Sequence, residues 1–471
     1  MIALVMAKEV RAVLRDGRLM VMAAVLLVAL VAILLDALAA HREARAERER
    51  IIELTRAQWD HQGAKHPHRA AHFGLYAFAP AMPLATLEPG IGPQLGQALW
   101  LEPHKRNMAR FSPSLDAPAS TRLSEATVSF VLVALVPLLI VGMGHHTVTQ
   151  ERESGTLRLL VASGASAQAV VLGKLLGLMV VLGLLAVPAL AGAWWLGGGQ
   201  SLDADTAARA AATVATLMVG YLVFVAIAVL ASLWLPTGRS ALIVLLVAWM
   251  AVAFAAPRLG AVVAERAVPV PDGSQFWRDI ARDVEEGLPG DGTALQRQAA
   301  FDAALLRENG VSRMEDLPFG AAARRRIFRD AYAHRVHDLH FDRLWNAWER
   351  QQTWFRAATA WSPVVALRSA MMAFAGTDLA HHRAFEVQAE SYRKAFTLRL
   401  DEWDLSARAG VVSFEERYGG DAVWQSIAPF RPETPRWTAA LRAAAPDLLI
   451  LLAWATAAVA LLLASGRRVR P

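Results

Sequence analysis

Hydrophobic residues gather in six stretches of the 471-residue chain, separated by polar segments of very unequal length. The stretches cover approximately residues 19–39, 127–143, 170–196, 207–235, 240–256 and 448–464. Each approaches the roughly 20 apolar residues that a helix needs to cross a bilayer. Because an isolated span must satisfy its own backbone hydrogen bonds, we expect all six to be helices. The pattern predicts an all-α, polytopic membrane protein with six transmembrane helices.

Residues 1–18 predict a different kind of helix, in which apolar and basic positions form separate stripes. The apolar stripe runs from Ile2 to Val13. The basic stripe consists of Lys8, Arg11, Arg15 and Arg18. Such a helix would lie in the inner headgroup region, with its cations facing anionic lipid or a protein partner.

Basic residues beside the spans set the expected orientation. Besides the N-terminal stripe they are Arg152, Arg158, Lys174, Arg239, Arg467, Arg468 and Arg470. All of them face the cytoplasm if both termini are inside, as the positive-inside rule asks. We therefore expect loop 144–169 and tail 465–471 inside the cell, and two long segments, 40–126 and 257–446, outside it.

The two long segments predict different structures. Residues 41–62 lack helix breakers and suit an extension of the first span, whereas many prolines interrupt the stretch that follows. The segment 257–446 predicts a mainly helical domain, with helices near 274–287, 293–309, 319–358, 363–375 and 378–405. The chain has no cysteine, so these parts must be held together by packing without disulfides.

Composition agrees with a chain that is part membrane and part aqueous domain, at 55% hydrophobic and 19% charged residues. A formal net charge of +6 could suggest nucleic acid. The basic residues, however, are spread out or flank the spans, and they do not form one block with interleaved aromatics. We therefore expect a lipid bilayer as partner and no nucleic acid.

Loop 144–169 carries the most informative motif, Glu-Arg-Glu-Ser-Gly-Thr-Leu-Arg-Leu-Leu at residues 151–160, followed by Leu-Gly-Lys at 172–174. Its charges are ill suited to the lipid core, so it predicts a short amphipathic helix on the cytoplasmic face that could receive force from a partner. The ordinary alternative is helix capping, since glutamates in a first turn favour the helix dipole.

The motif resembles the first cytoplasmic loop of ABC-2 type permeases, the membrane subunits of one class of ATP-driven exporter. The resemblance implies an ATPase-coupling role for Glu151, Glu153, Gly155, Thr156, Leu157 and Arg158. The order of spans and outer segments is similar to a subfamily with large extracytoplasmic helical segments between spans 1 and 2 and between spans 5 and 6. Its members tend to pair two related permeases with one ATPase, which favours a heterodimer and leaves open a pair of identical copies.

Ionisable residues within the spans are few. Asp36, Lys174, Arg209 and Asp447 sit near predicted ends, where we expect them to reach water, so a proton- or sodium-coupled carrier is disfavoured. The glycine-rich segment 287–292 lacks the lysine of a phosphate-binding loop. We therefore expect no enzymatic activity and no cofactor in this chain, with ATP and Mg²⁺ bound by a partner ATPase.

Two further features have competing interpretations. Gly173 and Gly177 could let a neighbouring helix approach closely, although glycine is also simply frequent in membrane helices. The first span could instead be a secretory signal peptide that ends at Ala37-Leu-Ala39, but its apolar run is long for a signal core.

Histidines suggest a metal site only weakly. His66 and His68, with His61 and His72 nearby, cluster in the first outer segment, and His334 and His337 lie one turn apart on a predicted helix. Exposed polar histidine is the simpler interpretation of both groups, and we expect no metal site.

We conclude from the sequence that the chain is the permease of an ATP-driven exporter in a bacterial inner membrane, a location suggested by high alanine, arginine and leucine usage. Two alternatives stay open. One is an ABC mechanotransmission complex that acts on a periplasmic partner without transport. The other is a membrane-anchored extracytoplasmic module that binds a ligand or handles a metal.

Overall fold

The structure is a computed structural model that describes residues 1–82, 84–110, 127–196, 203–406 and 417–466, with backbone alone for 185–196. Helices of the N-terminal half are α1 (Ile2–Arg15), α2 (Gly17–Asp60), α3 (Pro67–Phe73), α4 (Val128–Phe130 and Val136–Gly144, joined by a π-helical turn at Val131–Leu135), α5 (Thr149–Glu153), α6 (Thr156–Ala162), α7 (Ala167–Leu196), α8 (Ala204–Trp234) and α9 (Gly238–Met250 and Ala256–Ala267, joined by a π-helical turn at Ala251–Ala255). Those of the C-terminal half are α10 (Gly273–Glu286), α11 (Ala294–Asn309), α12 (Ala321–Thr359), α13 (Pro363–Ala375), α14 (Leu379–Ser406), α15 (Asp421–Gln425) and α16 (Trp437–Ser465). Strands β1 (Leu75–Phe78) and β2 (Ala98–Leu101) pair antiparallel.

Among the residues that the structure describes, six helices are long and apolar enough to cross a membrane, namely α2, α4, α7, α8, α9 and α16. They coincide with the six predicted spans, which confirms the all-α polytopic class. Helix α2 continues as one helix of 44 residues, as the extension predicted over residues 41–62 implies, whereas α9 runs to Ala267, beyond the predicted end of its span at residue 256. The tail from Arg467 onward and residues 111–126 of the first outer segment lie outside the described residues.

Both π-helical turns offer backbone carbonyls to neighbouring helices. In α4 the carbonyl of Leu132 accepts from the Tyr221 hydroxyl at 3.0 Å, and that of Ala134 accepts from Trp249 Nε1 at 2.9 Å. In α9 the carbonyl of Val252 accepts from the Ser362 hydroxyl at 2.7 Å. Polar backbone groups freed inside a membrane need such partners, so these bonds fix how the helices pack.

Helices α12 and α13 form a hairpin whose tip lies among the spans. The carbonyl of Ala360, at the tip, accepts from Trp454 Nε1 at 2.9 Å. Trp454 stands 11 positions before the end of α16 at Ser465, which is about 16 Å along a helix. Trp454 is near the middle of the span predicted over residues 448–464, so the tip lies beside the central part of that span. Leu367 of α13 packs directly on Gly220 in α8.

The placement of residues 257–446 in one extracytoplasmic segment stays a prediction, and within that segment α13 packs beside two of the predicted spans. Helix α13 is apolar and almost entirely buried, because it packs between α8 and α16. At 13 residues it is too short to be counted as a span by hydrophobic length. Its burial within the bundle depends on the two neighbouring helices, which the sequence pattern does not reveal.

Three of the four ionisable residues expected to reach water are buried and paired instead. Lys174 is 1% exposed, Arg209 is 2% and Asp447 is 3%, whereas Asp36 is exposed as predicted. Arg209 bonds to Asp205 at 2.8 Å and to the carbonyl of Phe374 at 3.2 Å. The expectation was wrong because proximity to a helix end does not ensure contact with water when other segments cover that end.

The two outer segments pack into one unit. Trp59, near the end of α2, donates to the carbonyl of Trp424 at 2.8 Å, and Trp424 donates to that of Gly63 at 2.9 Å. Both tryptophans are fully buried, with Phe385 and Phe396 of α14 beside them. Helix α2 therefore links the membrane bundle directly to the core of the outer unit.

Candidate coupling surface

The motif in loop 144–169 forms two short helices, α5 and α6, rather than the one helix that was predicted. Gly155, between them, has φ of +73°, a left-handed conformation that glycine adopts without steric cost. The chain turns there, so the two sides of the motif face different surroundings. The glutamates before Gly155 sit on one short helix, and Leu157 and Arg158 sit on the next.

Glu151 faces the protein interior. Lys174 Nζ lies 3.0 Å from a carboxylate oxygen of Glu151 and 3.0 Å from one of Glu9, and it also donates to the carbonyl of Thr147. Lys8 forms a further ion pair with Glu151. We call Glu9, Glu151 and Lys174 the buried charge triad. It joins α1, α5 and α7, so a direct contact of Glu151 with a partner protein is not what the geometry provides.

Helix α1 packs closely on the beginning of α7. An added Cβ at Gly173 would lie 2.7 Å from Val5 Cγ1, and one at Gly177 would lie 2.8 Å from Glu9 Cβ. The structure thus places both glycines under a neighbouring helix, and that helix is the N-terminal one. All four basic residues of the stripe are exposed, and Lys8 in addition forms an ion pair with Glu151.

Other residues of the motif anchor α5 and α6. Arg152 donates to the carbonyls of Leu233 and Leu235 at 2.7 and 2.9 Å. These carbonyls lie at the C-terminal end of α8, where backbone oxygens have no N–H partner within the helix. Glu153 accepts from the backbone N–H of Gly238, at the start of α9, at 3.2 Å. The Thr156 hydroxyl is within 3.4 Å of the Glu151 carbonyl, and Leu157 is only 2% exposed.

The opposite side of the motif is exposed and includes a large apolar residue. Glu153, Gly155 and Arg158 are exposed, and Leu159 is 70% exposed. We call these four residues the coupling patch. Sequence reasoning missed Leu159 as a surface residue, although its distance of two residues from buried Leu157 on a short helix places it on the other face.

The patch lies at the end of the bundle that also holds helix α1 and the end of α16. Gly238, in the turn between α8 and α9, is close to Thr149, and Gly466, after α16, is close to Ala167. Lys8 of α1 reaches the same loop. The outer unit formed with Trp59 and Trp424 is at the other end of the spans.

The predicted metal candidates separate in the structure. His66 pairs with Asp404 at 3.4 Å and is buried. His334 and His337 are neutral, because burial lowers the pKa of each to about 4. Among the described residues, the one group of three metal-binding side chains joins His68 and His72 to His104, which the sequence analysis did not consider.

Comparison with known families agrees with this geometry. Residues 3–298, more than half of the chain, match the family described as ABC-2 family transporter protein, and residues 274–433 match a domain of unknown function (DUF3526). No curated protein matches the chain. The chain therefore belongs to the ABC-2 transporter family and is a membrane component of an ABC transporter. In that family the membrane component is normally not the ATPase itself.

Proposed function

We propose that this chain is the permease subunit of an ATP-driven exporter and that the coupling patch receives the movement of a partner ATPase. The observation that carries the proposal is the two-sided loop. Glu151, Arg152 and Leu157 fix it to the bundle, while Glu153, Gly155, Arg158 and Leu159 are exposed on the side where another protein could contact them. ATP and Mg²⁺ would be bound by the partner.

The hydrogen bonds and ion pairs that attach the loop to the bundle determine which helices would move with the coupling patch. Arg152 joins the loop to the end of α8, and Glu153 joins it to the start of α9. The buried charge triad joins it to α1 and α7. A displacement of the patch would therefore move four helices together, as rocking between inward-facing and outward-facing packings requires.

A cavity at the outer side supports movement of a substrate. It has a volume of about 960 Å³ and lies between α9 and the α12–α13 hairpin. Its walls carry the charged residues Glu265, Arg356 and Arg368 beside apolar ones such as Ala261 and Phe355. Mixed walls of this kind suit an amphipathic substrate, with polar groups at one end and an apolar body.

Exposed apolar surface on the spans supports pairing with a second permease, either a related chain or an identical copy. In the hydrophobic part of α2 and in that of α9, 17% of the residues are buried in the single chain. Lipid covers part of such a surface. A partner permease would cover the rest, with the α12–α13 hairpin close to the shared seam.

Mechanotransmission is the second candidate, and α2 is the observation that favours it. This helix of 44 residues runs without interruption from the bundle into the core of the outer unit. It would transmit a tilt of the first span to a periplasmic partner even if nothing crossed the membrane. Reconstituted vesicles distinguish the two functions, because only an exporter accumulates amphipathic probes in an ATP-dependent way.

Replacing Leu159 with aspartate should abolish co-purification of the ATPase, because a charge would then sit where an apolar contact is needed. The matched control is Leu295→Asp, since Leu295 is 79% exposed in the outer unit. Pull-down in mild detergent followed by mass spectrometry measures the effect. Equal ATPase recovery with both variants would contradict the proposed patch.

Single cysteines test the proposed location in the inner membrane with both termini in the cytoplasm. The chain has no cysteine of its own, so Ser163→Cys beside the patch and Ser274→Cys in α10 are directly comparable. Both positions are exposed. In intact spheroplasts an impermeant maleimide should label position 274 and leave position 163 unlabelled until the cells are opened. The reverse pattern would contradict the orientation.

A further inference from the structure

Three histidine side chains converge in the outer unit, away from the coupling patch. His68 and His72 are one turn apart on α3, and His104 lies in the loop after β2. His68 Nε2 lies 3.3 Å from His72 Nε2 and 3.4 Å from His104 Nε2. All three ligand atoms lie within 4.8 Å of one another.

Hydrogen bonding alone does not account for these two contacts. The Nε2 atom of a neutral imidazole carries either one proton or one lone pair. His68 Nε2 can therefore fully satisfy one of its two nitrogen neighbours by a linear hydrogen bond, and the other contact would stay unfavourable. A cation that accepts one lone pair from each ring would satisfy all three.

The distances match those imposed by a tetrahedral metal ion. Zinc–nitrogen bonds of about 2.0–2.1 Å with tetrahedral angles place neighbouring ligand nitrogens about 3.3–3.4 Å apart. Both contacts of His68 have this length. Two histidines at i and i+4 on one helix, with a third from elsewhere in the fold, are a common zinc-binding arrangement.

The surroundings of His104 support the same conclusion. Its Nδ1 lies 2.6 Å from a carboxylate oxygen of Asp330 on α12, and a carboxylate on the far nitrogen is the usual partner that orients a metal-bound histidine. This contact also leaves the lone pair on Nε2. Of the residues the structure describes, His104 is the one residue other than glycine with a positive φ, at +66°. Such backbone conformations persist where the surroundings enforce them, often at functional sites.

We propose that His68, His72 and His104 bind one divalent transition-metal cation, with zinc as the ion that fits best. Three imidazole ligands leave a fourth position for water or another ligand, and the exposure of His72 opens that position to solvent. The bound ion would cross-link α3 to the loop after β2. Through Asp330 it would also join the first outer segment to α12 of the second.

The test uses the full-length chain in detergent, purified with a tag that contains no histidine and stripped of metal with a chelator. Zinc is then titrated in competition with a chromophoric chelator. We expect one equivalent of zinc per chain, and X-ray absorption should show nitrogen ligands at about 2.0–2.1 Å. Stoichiometric binding of copper or nickel without zinc would overturn the choice of ion.

Variants connect the binding to these residues. His72→Ala should lose the equivalent of zinc without unfolding the chain, because His72 is exposed. Asp330→Asn should weaken zinc binding by about 10- to 100-fold, as loss of a supporting carboxylate does. His61→Ala is the matched control, because its side chain is 68% exposed in the same outer segment and is not part of the group. Undiminished zinc binding by His72→Ala, or no zinc binding by the unaltered chain, would overturn the proposal.

Discussion

Replacing Lys174 with methionine should prevent most of the chain from accumulating in a folded form. Methionine keeps the length and apolar stem of lysine but removes the ammonium group 3.0 Å from Glu9 and from Glu151, so that Glu9 loses its ion pair and Glu151 keeps only the one with exposed Lys8. Both carboxylates are less than 10% exposed. Removing one partner from a buried charge cluster costs about 3–5 kcal/mol, which is a large part of a typical folding free energy. Size-exclusion recovery and thermal unfolding in detergent measure the loss.

A second set of variants separates charge from shape at the same site. Adding Glu9→Gln and Glu151→Gln to Lys174→Met removes every charge of the buried triad. The amount of folded chain and its thermal stability should then return most of the way to those of the unaltered chain. Arg158→Met is the control for removing a basic residue from the same end of the bundle, because Arg158 is exposed. Normal accumulation of Lys174→Met alone would contradict the structural importance of the triad.

Replacing Arg356 with alanine should destabilise the α12–α13 hairpin by a similar amount. Arg356 donates two parallel hydrogen bonds, 3.0 and 3.1 Å long, to the two carboxylate oxygens of Asp447 in α16. Asp447 is 3% exposed and would be left as an unpaired carboxylate among the spans. The expected cost is about 3–5 kcal/mol, measured by thermal unfolding and by protease sensitivity of the hairpin.

A double-mutant cycle tests whether the two side chains act as a pair. The double variant Arg356→Gln, Asp447→Asn should lose much less unfolding free energy than the sum of the losses in Arg356→Gln alone and Asp447→Asn alone. In the double variant no charge is left buried without a partner. Arg350→Ala provides the control on the same helix, since Arg350 is exposed and lies six residues earlier. Additive losses in the cycle would show that the pair does not hold the hairpin against α16.

Much of the fold was predictable because the bilayer imposes a simple rule on sequence. Every span must be a helix of apolar residues, so hydropathy located all six candidates, and glycine and proline positions located the outer helices to within a few residues. The length of α2 was also predictable, because residues 41–62 contain no helix breaker.

The candidate site was predictable as a segment but not as a surface. The motif at residues 151–160 identified the loop, yet nothing in its residue types separates Glu151, which is buried, from Glu153, which is exposed. That difference follows from the turn at Gly155 and from the position of Lys174 on another helix. The histidine group likewise needed His104, which is 32 positions away from His72 and becomes its neighbour only through pairing of β1 with β2 and the loop that follows.

The sequence by itself determined the class of the protein, its candidate spans, its outer helices and the loop that carries the family motif. These properties depend on local periodicity and on the cost of exposing polar groups to lipid, both of which can be read along the chain. The tertiary structure alone decided which charges are buried, that α13 lies among the spans, which side of the loop is exposed, and that His104 meets His68 and His72. Those properties depend on contacts between residues far apart in sequence, and their energies exist only once the helices are packed together.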